Sequence, residues 1–318
     1  MTDEFRDTLP PRHAMTIDVE DYFHVSAFAD QISTDKWPTF ESRVVANTHS
    51  LLRLLAEHNT LGTFFVLGWV AERYPQLVRD IHRDGHEIGC HSYWHRLIYE
   101  LTPEEFLADT MRSRDILGEI TGEAPQLYRA PSFSITRASL WSLEILAEAG
   151  FTGDSSIYPV FHDRYGIPDA DPFIHQIVTP PGTIDEFPGT ALRLGPGALP
   201  ISGGGYFRLY PVRFTDFCFR RAIAQSGQPV MFYIHPWEID PGQPRLAGSL
   251  KSRFRHYQNL ATTRKKLNWL LPRFSFAPMS QVIAETRSGQ REYQLSEEIY
   301  RGPAADNTAP TGLTQSQM

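Results

Sequence analysis

Short apolar runs of β character alternate with amphipathic stretches along most of the chain. Ala14 to Asp18 is the first run. Behind it, Val44, Thr48, Leu51, Leu52 and Leu55 recur at three- and four-residue spacing, which marks one face of a helix. Gly62 to Leu67 reads as a second strand. Val70, Tyr74, Leu77, Val78 and Ile81 predict one further helix, stopped near Gly85, and Glu87 to Cys90 predicts a third strand. Thr102-Pro-Glu-Glu105 is a helix start, with an N-cap Thr, Pro at the first helical position and Glu105 closing a capping box. That helix is expected to run to about Thr121. Gln126 to Arg129 and Phe151 to Asp154 predict strands flanking a helix that carries Leu140, Leu143 and Leu146.

From Ile157 to Pro200 the periodicity fades and Pro, Gly and Asp crowd together, which predicts loops with a short strand near Ile184 to Phe187. Gly203 to Gly205 predicts a flexible turn; no Gly-Lys-Ser/Thr follows it, so it is not a phosphate-binding loop. Phe214, Phe217, Cys218 and Ala222 restart a helix closed by Gly227. Val230 to Ile234 is the most strand-like run, Leu260 to Leu271 is a basic helix, and Phe274 to Phe276 is a last strand. Strands alternating with helices predict an α/β protein with a mostly parallel sheet. Seven or eight such units predict a TIM-like barrel.

Composition narrows the classes. Of 318 residues, Lys plus Arg is 30 against 37 for Asp plus Glu, a net charge of −7, and 41% are hydrophobic. Such a chain is globular, and an acidic balance argues against nucleic acid as a partner. The two cysteines, Cys90 and Cys218, form no C-x-x-C and predict no disulfide framework. Met1 to His13 is polar and shows no signal-peptide core, and no apolar run is long enough to span a membrane. A cytoplasmic location is the expectation, with peripheral membrane association open. Residues 1–13 read as an N-terminal extension, 14–285 as the barrel with an elaboration over about 157–285, and 302–318 as a disordered tail.

Ionisable residues gather at the ends of the predicted strands. Asp18, Glu20 and Asp21 follow the first, His91 and His95 the third, Arg129 ends the fourth, Asp154 the fifth, and His235 follows Val230 to Ile234. One polar residue often merely marks where a loop begins. Several together, at the rim where α/β barrels build their active sites, point to chemistry. Two histidines four residues apart can address one metal from one side of a turn, and a carboxylate completes a three-ligand set with an open position. Three carboxylates within four residues repel one another unless a cation or a proton intervenes.

These stretches, with Thr16–Phe23, Thr63–Trp69, Gly85–Glu87, His91–His95, Tyr128–Ser134, Gly150–Ser156, Gly203–Arg208, His235–Glu238 and Arg253–Tyr257, make the chain resemble the polysaccharide deacetylases of carbohydrate esterase family four. Within it, the chain is similar to the subgroup found in exopolysaccharide loci of bacteria with PEP-CTERM sorting systems. The resemblance covers about residues 14–285. It implies a distorted barrel of seven or eight strands and a deacetylase that uses a divalent metal, usually Zn2+. It implies His91 and His95 as ligands, Asp18 as base, Arg129 as its orienting partner, His235 as acid, and Asp154 as the carboxylate that orients that acid. The family's adjacent Asp-Asp is here Asp18-Val-Glu20-Asp21. A spaced acidic pair occurs in relatives of the peptidoglycan-deacetylase and allantoinase type and favours Glu20 as third ligand, with Asp21 the alternative. On an extended strand Asp18 and Glu20 share a face and Asp21 does not. His235 is followed by Pro-Trp-Glu where the family pattern has an Asp.

The chemistry follows from the residue types. A metal polarises an acetyl carbonyl and acidifies water, Asp18 takes the proton, a backbone N–H near Ser132–Phe133 steadies the oxyanion, and His235 protonates the leaving amine. Aromatic residues suit sugar faces, and Tyr93, Trp94, Pro131, Ser132, Phe133 and Trp237 are the expected substrate contacts, beside Trp37, Trp69, Tyr206 and Phe207. The expected partner is an N-acetylated glycan or lipid-linked oligosaccharide, with exopolysaccharide assembly machinery around it. Alternatives are an O-acetyl esterase, an allantoinase-like amide hydrolase, or a glycan-binding scaffold. Lys251, Arg253, Arg255, Arg264, Lys265 and Lys266 read as a solvated helix face; the other reading is a patch for an anionic glycan or a membrane surface.

Overall fold

Alternate residues of the first strand, β1 (His13–Val19), face opposite sides of one sheet. Met15, Ile17 and Val19 join a large apolar cluster with the surrounding helices, whereas Ala14 joins a second cluster with Phe65, Leu127, Met231 and Tyr233. Thr16 and Asp18 share the parity of Ala14 and point inward with it. The computed structural model describes residues 12–195, 197–287, 290–296 and 298–300.

After β1 come α1 (Val44–Glu57), β2 (Thr63–Val66), α2 (Gly68–Arg73), α3 (Pro75–Arg83), β3 (Glu87–Cys90), α4 (Pro103–Thr121), β4 (Leu127–Tyr128), α5 (Trp141–Glu148) and β5 (Gly153–Asp154). Then follow β6 (His175–Val178), β7 (Thr183–Glu186), β8 (Ala191–Leu194), β9 (Gly197–Pro200), α6 (Gly204–Leu209), α7 (Val212–Ser226), β10 (Met231–Ile234), α8 (Leu250–Tyr257), α9 (Leu260–Leu270), β11 (Phe276–Ala277), α10 (Met279–Thr286) and β12 (Arg291–Gln294).

The wall of the barrel runs β10-β1-β2-β3-β4-β5-β7, every pair parallel. β6 adds antiparallel to β7, β12 lies parallel on β6, and β11 pairs with the start of β1. Among the described residues no strand ladder joins β7 back to β10. Single hydrogen bonds cross that seam instead: Ile201 N–H to the Thr190 carbonyl (3.1 Å), Tyr233 N–H to the Ser202 carbonyl (2.8 Å), and Met231 N–H to Thr190 Oγ1 (2.8 Å). The expected barrel is present as parallel strands with one irregular seam. Gly203 sits in it at φ +142°, where a Cβ would strike the Tyr233 carbonyl oxygen. The Gly203–Gly205 run is therefore packed against β10 rather than a free turn. Inside, Phe65 fills the barrel over Gly89, whose Cβ would fall 2.5 Å from the Phe65 ring.

Local signals fix several boundaries. Glu105 N–H bonds Thr102 Oγ1 (3.2 Å) and Thr102 N–H bonds Glu105 Oε2 (2.9 Å), the reciprocal cap expected for α4. The single helix expected over Val70 to Ile81 is two, broken at Tyr74, because the residue before a proline avoids the helical region. The basic stretch divides. Lys266 is half-buried and donates to the carbonyls of Arg208 and Tyr210 at the end of α6, while Lys251, Arg253 and Arg255 stand exposed on α8. Both cysteines are free and buried. Apart from Arg12 and His13, the extension expected over 1–13 lies outside the described residues, as does the tail expected over 302–318. No helix among the described residues is long and apolar enough to cross a membrane.

Candidate active site

The chain leaves β1 with a tight turn, Glu20 N–H bonding the Asp18 carbonyl at 3.0 Å, and this keeps Glu20 at the barrel mouth. β3 delivers His91, and the loop after it delivers His95. That loop is no helical turn: Ser92 and His95 both take left-handed backbone (φ 61° and 53°), a strained geometry of the kind stored at functional sites. Asp109 of α4 holds it, accepting from the N–H groups of Tyr93 (2.6 Å) and Trp94 (3.0 Å).

Glu20, His91 and His95 are all buried, and one ligand atom from each lies within 4.8 Å of the others. His91 Nδ1 is 2.7 Å from the Arg129 carbonyl, which can only accept, so the proton sits on Nδ1 and Nε2 keeps a free lone pair. Burial pushes the His91 pKa down to about 4, which keeps the ring neutral. His95 Nε2 stands 2.7 Å from Glu20 Oε2, yet that oxygen has no directed hydrogen-bond donor. Burial opposes the charge of Glu20, but His95, His235 and His91 outweigh it and hold the carboxyl well below the usual range. A buried carboxylate oxygen facing two imidazole nitrogens is a fitting donor set for a divalent metal.

Beside this set stand Asp18 and His235. Asp18 Oδ1 accepts from Arg129 Nη1 at 2.8 Å, with both side chains buried. Arg129 also donates to Thr16 Oγ1 (2.7 Å), the Ser155 carbonyl (3.1 Å) and Ser155 Oγ (2.9 Å), and it lies over the Phe65 ring. A buried ion pair this fully hydrogen-bonded fixes position. His235 Nε2 is 3.8 Å from Asp18 Oδ2 and 3.6 Å from Glu20 Oε1. On its far side, Nδ1 lies 3.0 Å from Glu238 Oε2, and Glu238 Oε1 accepts from Arg208 Nε at 2.6 Å. Burial alone would lower the His235 pKa; Glu238, then Glu20 and Asp18, overcome it and raise it to about 9. Burial likewise opposes the charge on Glu238, and Arg208 and His235 bring its pKa down to about 2.

The cleft around these groups is lined by Asp18, Glu20, His91, His95 and His235, with Ser132, Phe133 and Trp237. Trp237 Nε1 donates to Glu20 Oε1 at 3.1 Å. Other expected residues lie elsewhere. Asp21 turns away and caps α1: Oδ2 accepts from Ser42 Oγ (2.8 Å) and the N–H groups of Arg43 (2.8 Å) and Val44 (3.1 Å). Asp154 makes no contact with His235. It accepts from Ser156 Oγ (2.5 Å) beside Glu186; burial raises the pKa of both carboxyls, and on Glu186 the neighbouring Asp154 raises it further. Tyr93 bonds Glu72 (2.7 Å) under Arg112 and does not line the cleft; Pro131 is buried outside it; and Trp94 lines a neighbouring pocket with Trp37 and His95. Phe133 N–H is committed to the Ala130 carbonyl (3.1 Å), which leaves Ser132 as the remaining backbone donor of the expected pair. Sequence reasoning missed Glu238, Tyr165 and Tyr233 in or behind the cleft, and Asp109 beneath the His91–His95 loop. The signal for Glu238 was the His-Pro-Trp-Glu spacing itself, which forms a cap around His235.

The fold and site define an α/β barrel with two histidines and one carboxylate at its mouth that could hold a metal ion. A family model described as "Polysaccharide deacetylase" matches residues 35–153, and one described as "Domain of unknown function (DUF3473)" matches residues 155–284. Over residues 35–153 the chain is thus similar to the polysaccharide deacetylases. It is 35% identical to a peptidoglycan-N-acetylglucosamine deacetylase of Bacillus cereus over 98 residues, 30% of this chain and 36% of that protein. It is 32% identical to a chitooligosaccharide deacetylase of Azorhizobium caulinodans over 100 residues, 31% of this chain and 45% of that one. The chain thus spans under half the length of these curated relatives. Among solved structures, a Mycobacterium smegmatis chain assigned as a polysaccharide deacetylase superposes with a TM-score of 0.56 at 20% identity, covering 98% of this chain and 97% of that one. That likeness speaks to the fold alone.

Proposed function

We propose that the protein is a divalent-metal, most simply Zn2+, N-deacetylase acting on an N-acetylated sugar of an exopolysaccharide or its lipid-linked precursor. The observation that carries this reading is the convergence of Asp18 and His235 with the Glu20–His91–His95 set in one cleft. The match of residues 35–153 to the polysaccharide deacetylases supports it, as does the similarity to a peptidoglycan-N-acetylglucosamine deacetylase and a chitooligosaccharide deacetylase.

Glu20, His91 and His95 would hold the metal, which supplies a Lewis acid for the acetyl carbonyl and for water. The chain's own groups do the rest. Asp18, fixed by Arg129, takes the proton from attacking water. The Ser132 N–H is the backbone donor offered to the developing oxyanion. His235, kept protonated by Glu238, gives its proton to the departing nitrogen as the C–N bond breaks, and acetate leaves with the water oxygen. Trp237, Phe133, Tyr165 and Tyr233 give the sugar apolar faces to lie against.

The test is acetate release by metal-loaded protein from polymeric and lipid-linked N-acetylhexosamine substrates, with O-acetylated glycans and allantoin in parallel. Release from the N-acetylated substrates alone is expected. Turnover confined to O-acetyl esters or to allantoin would replace this reading with the alternative hydrolases, and metal binding without any turnover would leave a glycan-binding scaffold.

A further inference from the structure

Three large apolar side chains stand in solvent beside the groove that leads to the cleft. Phe161 is 91% exposed, Leu250 84% and Phe254 63%. Single exposed apolar residues are ordinary, but several large ones in one place mark an interaction surface. These three are neighbours. Leu250 and Phe254 lie one turn apart on α8, and Lys251 between them reaches the carboxylate of Asp163 (3.3 Å), two residues from Phe161. They cannot simply turn inward, because His256 on the buried side of α8 stacks on Trp237 with ring centroids 4.3 Å apart. The groove beside them, about 440 Å3, shares Val25, Ser132, Tyr165, Tyr233 and Trp237 with the cleft.

The charge around the patch opposes that of the chain. The protein carries −7 overall, yet Arg164, Lys251, Arg253 and Arg255 are all exposed here, and Asp163 is already paired with Lys251. On the other side of the groove Leu209 is 47% exposed, and an aromatic run continues outward from Tyr206 through Tyr210 to Phe214, with centroid spacings of 5.9 and 5.4 Å. Exposed apolar tips ringed by cations are the chemistry of an interfacial anchor: the tips enter the acyl boundary while the cations meet anionic headgroups.

We infer that this face docks on an anionic lipid bilayer, with Phe161, Leu250 and Phe254 entering the headgroup boundary, so that the groove opens toward the membrane. The inference stands apart from the deacetylase reading, since vesicles hold the protein whether or not acetate is released.

The test is co-sedimentation of the full chain with vesicles of phosphatidylcholine alone and of phosphatidylcholine mixed with phosphatidylglycerol. Binding to the mixed vesicles, weakened by salt, is expected. Leu250→Ser and Phe254→Ser should each weaken it about tenfold. Arg253→Gln and Arg255→Gln should each weaken it roughly fivefold on the mixed vesicles and leave neutral ones unaffected. No sedimentation with mixed vesicles overturns the inference, and so does equal binding by the L250S/F254S double variant. Without vesicle binding, a dimer of the parent that this double variant dissolves would assign the patch to a second copy of the chain, and salt-sensitive binding to an acidic polysaccharide would assign it to a glycan. Either result overturns the membrane as occupant.

Discussion

Glu238 Oε2 lies 3.0 Å from Nδ1 of His235, opposite the Nε2 that faces Asp18 and Glu20. The imidazole is thus held from behind by a carboxylate that is itself tied to Arg208, and Arg208 is anchored by the carbonyls of Arg255 (2.9 Å) and His256 (2.6 Å) in α8. The chain from α8 to the cleft runs through charged, directed contacts. It sets the tautomer and the protonation of His235 together.

The first prediction concerns pH. The folded pKa of His235, about 9, lies above its ordinary 6.5, so its charge contributes stability that is complete below 6.5 and lost as pH rises through about 9. In the reaction, the rate should fall on the alkaline side as this proton is lost. Glu238→Gln removes the largest raising influence and should shift that limb to lower pH by ~1 unit or more. A pH–rate profile of the two proteins measures it, and coincident alkaline limbs would assign the proton to another group.

Asp18→Asn keeps the shape of the side chain and removes the base. The variant should retain the metal and lose roughly 10²–10⁴-fold in rate. Metal content by elemental analysis is read beside acetate release. Loss of the metal together with the rate would make Asp18 a ligand, and an undiminished rate would remove it from the proton transfer.

Glu20 and Asp21 are adjacent in sequence and should behave oppositely. Glu20→Ala removes one of three donors and should cost most of the metal affinity. Asp21→Ala removes the acceptor for the Ser42, Arg43 and Val44 donors at the start of α1, and should lower stability by about 1–3 kcal/mol with the metal dissociation constant little changed. Metal titration and thermal unfolding of both variants decide it. A large affinity loss confined to Asp21→Ala would sink the assignment.

Strand parity made much of this legible beforehand. β1 has a period of two, so Asp18 and Glu20 fall on one side and Asp21 on the other, and the short turn after Asp18 preserved that relation. The strand–helix alternation likewise gave the parallel wall, because each unit carries its own apolar face. Contacts set by tertiary packing were not legible. Asp154 ends β5 as expected, but its side chain meets Glu186 from β7, a partner brought in by sheet order alone. Tyr93 sits between two site histidines in sequence, yet the left-handed turn at Ser92 sends its ring to Glu72 and Arg112. Among the described residues β12 pairs with β6 alone, far away in sequence, and its charged residues carry no apolar alternation that would announce a strand.

Asp109 supports a final prediction, because it touches none of the reacting groups and still holds the loop that carries His95. Its carboxylate takes two backbone N–H groups, those of Tyr93 and Trp94, inside a loop whose Ser92 and His95 are both left-handed. Without that acceptor the two donors are left unsatisfied and the strained turn loses what pins it. Asp109→Ala should therefore cost about 1–3 kcal/mol in stability and weaken metal binding by ~10–100-fold, as the loss of groups supporting metal ligands does. Asp109→Asn keeps one acceptor oxygen and should fall between the two. Unfolding midpoints taken with and without added metal separate the effects: the stability loss appears in both, and the affinity loss appears as a smaller metal-induced rise in midpoint. A rise equal to the parent's in Asp109→Ala would show that the loop positions His95 without this carboxylate.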